Sequence, residues 1–109
     1  MLIDHNRWGE YLAELSRQAQ GYETTVEILS YELGDQFEVR RAPLNELSFD
    51  PREGIAIAVG SGAQLLRHVM ASPVRLEATD DAGIPSTLLV ESADGTRTLL
   101  RFEAPDLHD

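Results

Sequence analysis

The sequence predicts an α+β fold: an N-terminal helix packed on a mainly antiparallel sheet of five to six strands, curled towards a half-barrel. Three observations predict it. Apolar residues recur at spacings of three, four and seven up to Gly21; the period then drops to two; and turn signals of the hairpin kind join most of the later segments. With 109 residues the chain is expected to form a single domain.

Trp8, Leu12, Leu15 and Ala19, with Tyr11 beside them, make one stripe on a helix over about residues 5–20. Asp4 or Asn6 is placed to cap its start, and Gly21 to end it in a left-handed conformation. Such a helix is too short to be stable alone, so its stripe must pack on something.

Residues 24–103 are strand-rich. In "TTVEILSYE", Val26 and Ile28 share a face. "LGDQ" turns the chain, and "FEVRR" alternates again with Phe37 and Val39 inward. Pro43, in "APLNELSFD", argues for an edge, a bulge or a break, and "DPREG" is a turn with proline at its second place. "IAIAV" has Ile55, Ile57 and Val59 on one face and only alanines on the other, a face small enough for close cover. In "SPVRLEATDDAG", Val74 and Leu76 are expected inward, Arg75 and Glu77 outward. "DDAG" turns, "TLLVES" runs back, and "ADGT" is a hairpin signal ahead of "RTLLRFE". Residues 104–109, "APDLHD", read as a frayed acidic tail.

Charge and composition narrow the function. Nineteen acidic residues stand against 9 basic ones, all arginine, for a formal net charge of −10. That sign repels phosphate backbones, so no nucleic-acid partner is expected. The chain has no cysteine, which excludes disulfides, zinc-thiolate sites and thiol catalysis. Its opening residues are amphipathic and charged, without the apolar run of a signal peptide or a membrane span. The expectation is a soluble cytoplasmic protein with no membrane partner.

"IAIAVGSGAQLLRH" looks like the start of a dinucleotide fingerprint, with Gly60 and Gly62 in the first two glycine places. The third place, however, is Leu65, Pro73 leaves too little room for a crossover helix, and the segments beyond Pro73 are patterned as hairpins. Ser61 lacks the frame of a nucleophile elbow. His5, His68 and His108 have no metal-ligand spacing, and Asp80-Asp81 and Glu32/Asp35 fall at predicted turns with nothing to separate their titrations. No catalytic residue, cofactor or metal is therefore expected. His68, following Leu65-Leu66 on what reads as a short helix, is the residue through which a pocket over Gly60–His68 would work.

Two surface features remain. Arg75, Arg97 and Arg101 can share a solvent face with Glu77, Glu91 and Glu103, as cross-strand ion pairs or as an anion- or partner-binding face. Leu89 and Leu99 fall out of phase with the inward set Leu88, Val90, Leu100 and Phe102. Strands apolar on both faces are usually covered on both; the helix covers one, which leaves the other for a loop, a partner or a second subunit.

The order of the pieces resembles a family of small bacterial domains, domain of unknown function 5335. The likeness runs from Trp8 to Phe102 through "TVEILSYELGDQFEVRRAPLNELSFD", "HVMASPVRLE" and "LLVESADGTRTLLRF". It implies a compact soluble domain and supplies no reaction, ligand or catalytic residue. By topology alone, a helix before a bent sheet is also similar to RNA-binding Sm-like domains, an activity against which the charge argues. The leading expectation is a non-enzymatic domain acting through protein contacts, with itself or another protein. The alternatives are a small-molecule-binding or enzymatic domain with a pocket near Gly60–His68, and an acidic inhibitor that mimics nucleic acid.

Overall fold

The stripe of Trp8, Leu12, Leu15 and Ala19 is buried along one side of α1 (Trp8–Gln18), which a single 3-10 turn over His5–Arg7 precedes. The computed structural model describes residues 1–30, 34–79 and 83–105, with backbone alone at Asp35, Phe37, Glu38 and Arg40. Neither expected cap forms: Asp4 makes no side-chain cap bond, and Asn6 lies inside the 3-10 turn. The helix start is held from the core instead. Trp8 stacks on His5 with ring centroids 4.2 Å apart and meets Phe49 edge-on at 5.5 Å. Gly21 does end the helix region with φ +80°, as expected.

Seven strands come after the helix: β1 (Glu23–Ser30), β2 (Gly34–Asp50), β3 (Gly54–Val59), β4 (Leu66–Met70), β5 (Pro73–Ala78), β6 (Thr87–Ser92) and β7 (Arg97–Glu103). They form one antiparallel sheet in the order β4-β3-β2-β1-β7-β6-β5. "FEVRR" and "APLNELSFD" form one long strand, irregular around Pro43 as expected. β2 pairs β1 with its first half and β3 with its second, and bends between them. Register shifts against β1 and β3 bracket Arg41, at φ +53°, and Pro43. The helix lies along this strand: Ser16 Oγ accepts the Leu47 N–H at 3.0 Å, and Gln20 donates to the Asn45 carbonyl at 2.6 Å.

The sheet is rolled, and its connectivity shows why. Seven strands laid flat would place the two edges about 29 Å apart. Yet β4 and β5, the two edge strands, are joined only by Ala71 and Ser72, a link that spans at most about 11 Å. The edges must therefore meet at that corner, where Ser72 takes φ +49° and its carbonyl accepts the Ala93 N–H at 2.9 Å. The edges do not pair, so the roll is not closed into a barrel. Its interior holds Val26, Leu44, Leu47, Ile55, Ile57, Leu76, Leu88, Val90 and Leu100 together with the helix stripe.

Two expectations need correction. The extra strand is β4: "LLRHVM" is not a helix, because only Gly62–Gln64 coil into a 3-10 turn before Leu65 extends and the chain pairs with β3. Val74 is not inward but 59% exposed, since a register shift between Pro73 and Arg75 breaks the alternation there. The turns at "DPREG" and "ADGT" form as expected: Asp50 Oδ1 accepts the Arg52 N–H at 2.7 Å, and the Ser92 N–H donates to the Thr96 carbonyl at 2.9 Å. Residues 31–33, 80–82 and 106–109, with the Phe37 side chain, lie outside the described residues, and with them most of "DDAG", part of "LGDQ" and the end of the tail. Among the described residues, no helix is long and apolar enough to cross a membrane.

Candidate functional site

The sheet's outer face carries five of the six residues singled out from sequence. Cross-strand register puts Arg75, Glu91, Arg97 and Leu29 in one row, and Glu77, Leu89, Leu99 and Glu27 in the next. Thr87, Arg101 and Thr25 make a third. Arg75, Arg97 and Arg101 thus share a face, with signs alternating. Arg75 pairs with Glu77 at 3.3 Å and Arg101 with Glu27 at 3.4 Å, both arginines well exposed. An exposed pair of this kind contributes about 0–1 kcal/mol. Leu89 and Leu99 lie side by side, half-buried, in the middle row between the carboxylates of Glu77 and Glu27.

The two edges of the sheet differ. At β5 the N-terminal segment acts as a short cover: the Ile3 N–H donates to Leu76 at 2.9 Å, and the Ala78 N–H to Met1 at 2.8 Å. At β4 no strand lies alongside among the described residues. The phase of its backbone is set by one bond. The Gly60 N–H donates to the Pro43 carbonyl at 2.8 Å, so Gly60 faces β2. By alternation Val59, Ile57 and Ile55 turn their backbone groups to β4, opposite Leu66, His68 and Met70. The N–H and C=O groups of Arg67 and Val69 are left pointing away from the sheet.

The same edge strand exposes apolar side chains and carries no carboxylate of its own. Leu65 is 49% exposed and Leu66 41%. From Gly54 to Leu76 there is no Asp or Glu, in a chain where 19 of 109 residues are acidic. Arg67, the one arginine on β4, is paired with Glu53.

The glycines of "VGSG" serve the turn into this strand. Gly60 has φ +98°, and a Cβ there would lie 2.4 Å from the Gln64 carbonyl oxygen. The loop folds back on itself here, and it leads into a strand paired with β3 in place of the helix that a dinucleotide fingerprint opens.

His68 lines a cleft of about 230 Å³ between β4 and the inner face of β1, β6 and β7. Of the segment Gly60–His68 it is the one residue to do so; the rest of the lining comes from Ile28, Val69, Met70, Ala71, Ser92, Asp94, Thr96 and Thr98. Thr98 is 2% exposed and Ser92 9%. Asp94 sits at the mouth, where the Thr96 N–H donates to its Oδ1 at 2.9 Å. That backbone bond, seconded by one from the Thr96 hydroxyl, holds its carboxyl below the usual aspartate range. Among the described residues no group of three His, Asp or Glu could hold a metal ion.

Sequence reasoning missed the β4 edge and the pair Ser92 and Thr98. A signal for each was present. The edge lies inside the long carboxylate-free run, and Ser92 and Thr98 continue the inward sets Leu88, Val90 and Leu100, Phe102, so they are polar residues at core positions.

The whole chain, residues 1–109, matches a family of unknown function, DUF5335, and belongs to it. An uncharacterized protein of Aquifex aeolicus (strain VF5) is 29% identical over 101 residues, covering 93% of this chain and 89% of its own. No solved structure matches.

Proposed function

We propose that this member of the family acts through protein contacts, and that the contact is self-association along the free edge of β4. The observation that carries the reading is the contrast between edges: residues 1–3 cover β5, whereas at β4 the outward backbone of Arg67 and Val69 has no partner among the described residues. An open strand edge is a template for another strand, and folded proteins usually block it. A second copy fits on charge. A two-fold axis at His68 sets Arg67 against Val69 and Leu66 against Met70 of the second copy, with no like charges of fixed sign opposed. It also brings two chains of net charge −10 together along their carboxylate-free stretch. The pairing would satisfy both outward residues and cover Leu66.

An acidic mimic of nucleic acid has less support, because the outer face alternates Arg75, Glu91 and Arg97 instead of presenting one sign.

Solution mass tests the proposal. The wild type should run at twice its 12.1 kDa, with no loss of association on adding salt. Val69→Pro removes only an outward N–H, a change that edge strands tolerate. It should give a folded monomer, while Val69→Thr stays dimeric. A wild type that is monomeric at all concentrations, or a dimeric Val69→Pro protein, sinks the proposal. Leu99→Asp should leave the dimer intact; a folded monomer there would move the interface to the Leu89–Leu99 face.

A further inference from the structure

We infer that the cleft behind β4 is a binding site for a small neutral polyol of monosaccharide size or less. Thr98 and Ser92 are largely buried residues that line the cleft, and their hydroxyls, which no other described residue hydrogen-bonds, open onto it. In the free protein only water can satisfy these two hydroxyls, so a ligand that brings hydroxyls of its own can replace that water bond for bond. The remaining lining selects the class of that group. No arginine lines the cleft and Asp94 stands at its mouth, which disfavours a phosphate or a carboxylate. An ammonium ion would be held at that exposed mouth and would leave the two inner hydroxyls unused. A polyol matches both levels: each of its hydroxyls donates and accepts, as those of Ser92 and Thr98 do, and one can donate to Asp94 Oδ2. The imidazole of His68 adds a further polar contact. The C–H faces of the ligand would rest on Ile28 and Met70. A cleft of about 230 Å³ accommodates a group of that size.

The inference is independent of self-association, and the Val69→Pro protein serves as well as the wild type to test it. The experiment is an NMR titration of backbone amides with glycerol and with glucose as probes, and sodium phosphate as the comparison. Saturable shifts are expected at Ser92, Thr96, Thr98 and His68 with at least one of the polyols, and none with phosphate. Thr98→Val keeps the side-chain shape and should weaken binding about tenfold, the equivalent of one hydrogen bond. Ser92→Ala should do the same and stands in if the valine variant fails to fold. Shifts that never saturate with either polyol overturn the inference. So does saturation by phosphate, or a folded hydroxyl-deleted variant that binds as tightly as the wild type.

Discussion

The indole Nε1 of Trp8 donates to the carbonyl oxygen of Ile3 across 3.0 Å inside the core. This bond ties the first turn of α1 to the segment that covers the edge of β5, since Ile3 also donates to Leu76. One side chain thus anchors the helix and blocks a strand edge.

Trp8→Phe retains most of the buried ring and removes the donor. The Ile3 carbonyl is then left unpaired, at a cost of about 1–3 kcal/mol. A lower denaturant midpoint should come with faster hydrogen exchange at the amides of Ile3 and Ala78. Amides between β1 and β7 should lose no more protection than the global loss of stability explains. Uniform loss throughout would mean that Trp8 acts only through its bulk.

Gly60 and Gly62 both have positive φ but differ in surroundings. At Gly62, with φ +56° and open space, alanine should cost about 1–2 kcal/mol, the ordinary penalty of a left-handed residue. At Gly60, alanine also drives a Cβ into the Gln64 carbonyl, and the backbone must shift. Thermal unfolding should rank Gly60→Ala clearly below Gly62→Ala. Equal midpoints would mean that the loop relaxes freely.

Arg101 and Arg75 look alike in sequence, each an outward arginine near glutamates. Arg101, however, faces Glu27, whose side chain is only 9% exposed, whereas the Glu77 side chain beside Arg75 is 38% exposed. Arg101→Met strands a buried carboxylate and should cost about 1–3 kcal/mol at neutral pH. Arg75→Met should stay within about 1 kcal/mol. Chemical denaturation of the two variants decides it, and equal costs would refute the distinction.

Asp94 carries a pH dependence whose sign is set by its depressed pKa. The bonds from Thr96 favour the ionised carboxyl in the folded state, so their stabilisation is complete above the usual aspartate range. It fades as pH falls through that range to the lowered folded value. Hydrogen exchange at the Thr96 amide, scaled for its intrinsic pH dependence, should lose protection over that window. In Asp94→Asn the loss should vanish; an unchanged acid response there would assign it to another carboxyl.

Much of the fold was legible because it rests on local rules. The helix stripe from Trp8 to Ala19 became its buried side, and "DPREG" and "ADGT" became turns. Both outcomes come from periodicity and turn chemistry within a few residues. Where the reading failed, a distant partner had decided the matter. "LLRHVM" comes after a glycine loop, opens on an apolar pair and reads as helix, yet its ladder with β3 makes it a strand. Val74 fits the alternation of its own segment, but the shift at the β5–β6 pairing turns it outward. The cap expected of Asp4 does not form, and the helix start is packed instead through Trp8, which reaches across to Phe49.

The candidate site divides in the same way. Sequence alone determined the α+β class, the surplus of negative charge, the absence of cysteine chemistry and the carboxylate-free run from Gly54 to Leu76. Composition and local periodicity are enough for those. Only the tertiary structure decided that this run places β4 at an edge of the sheet, with no strand alongside among the described residues, and that His68 shares a cleft with Ser92, Asp94 and Thr98. The reason is physical. A two-residue link between β4 and β5 forces the sheet to roll, and the rolling brings together side chains more than twenty positions apart, a juxtaposition no local pattern encodes.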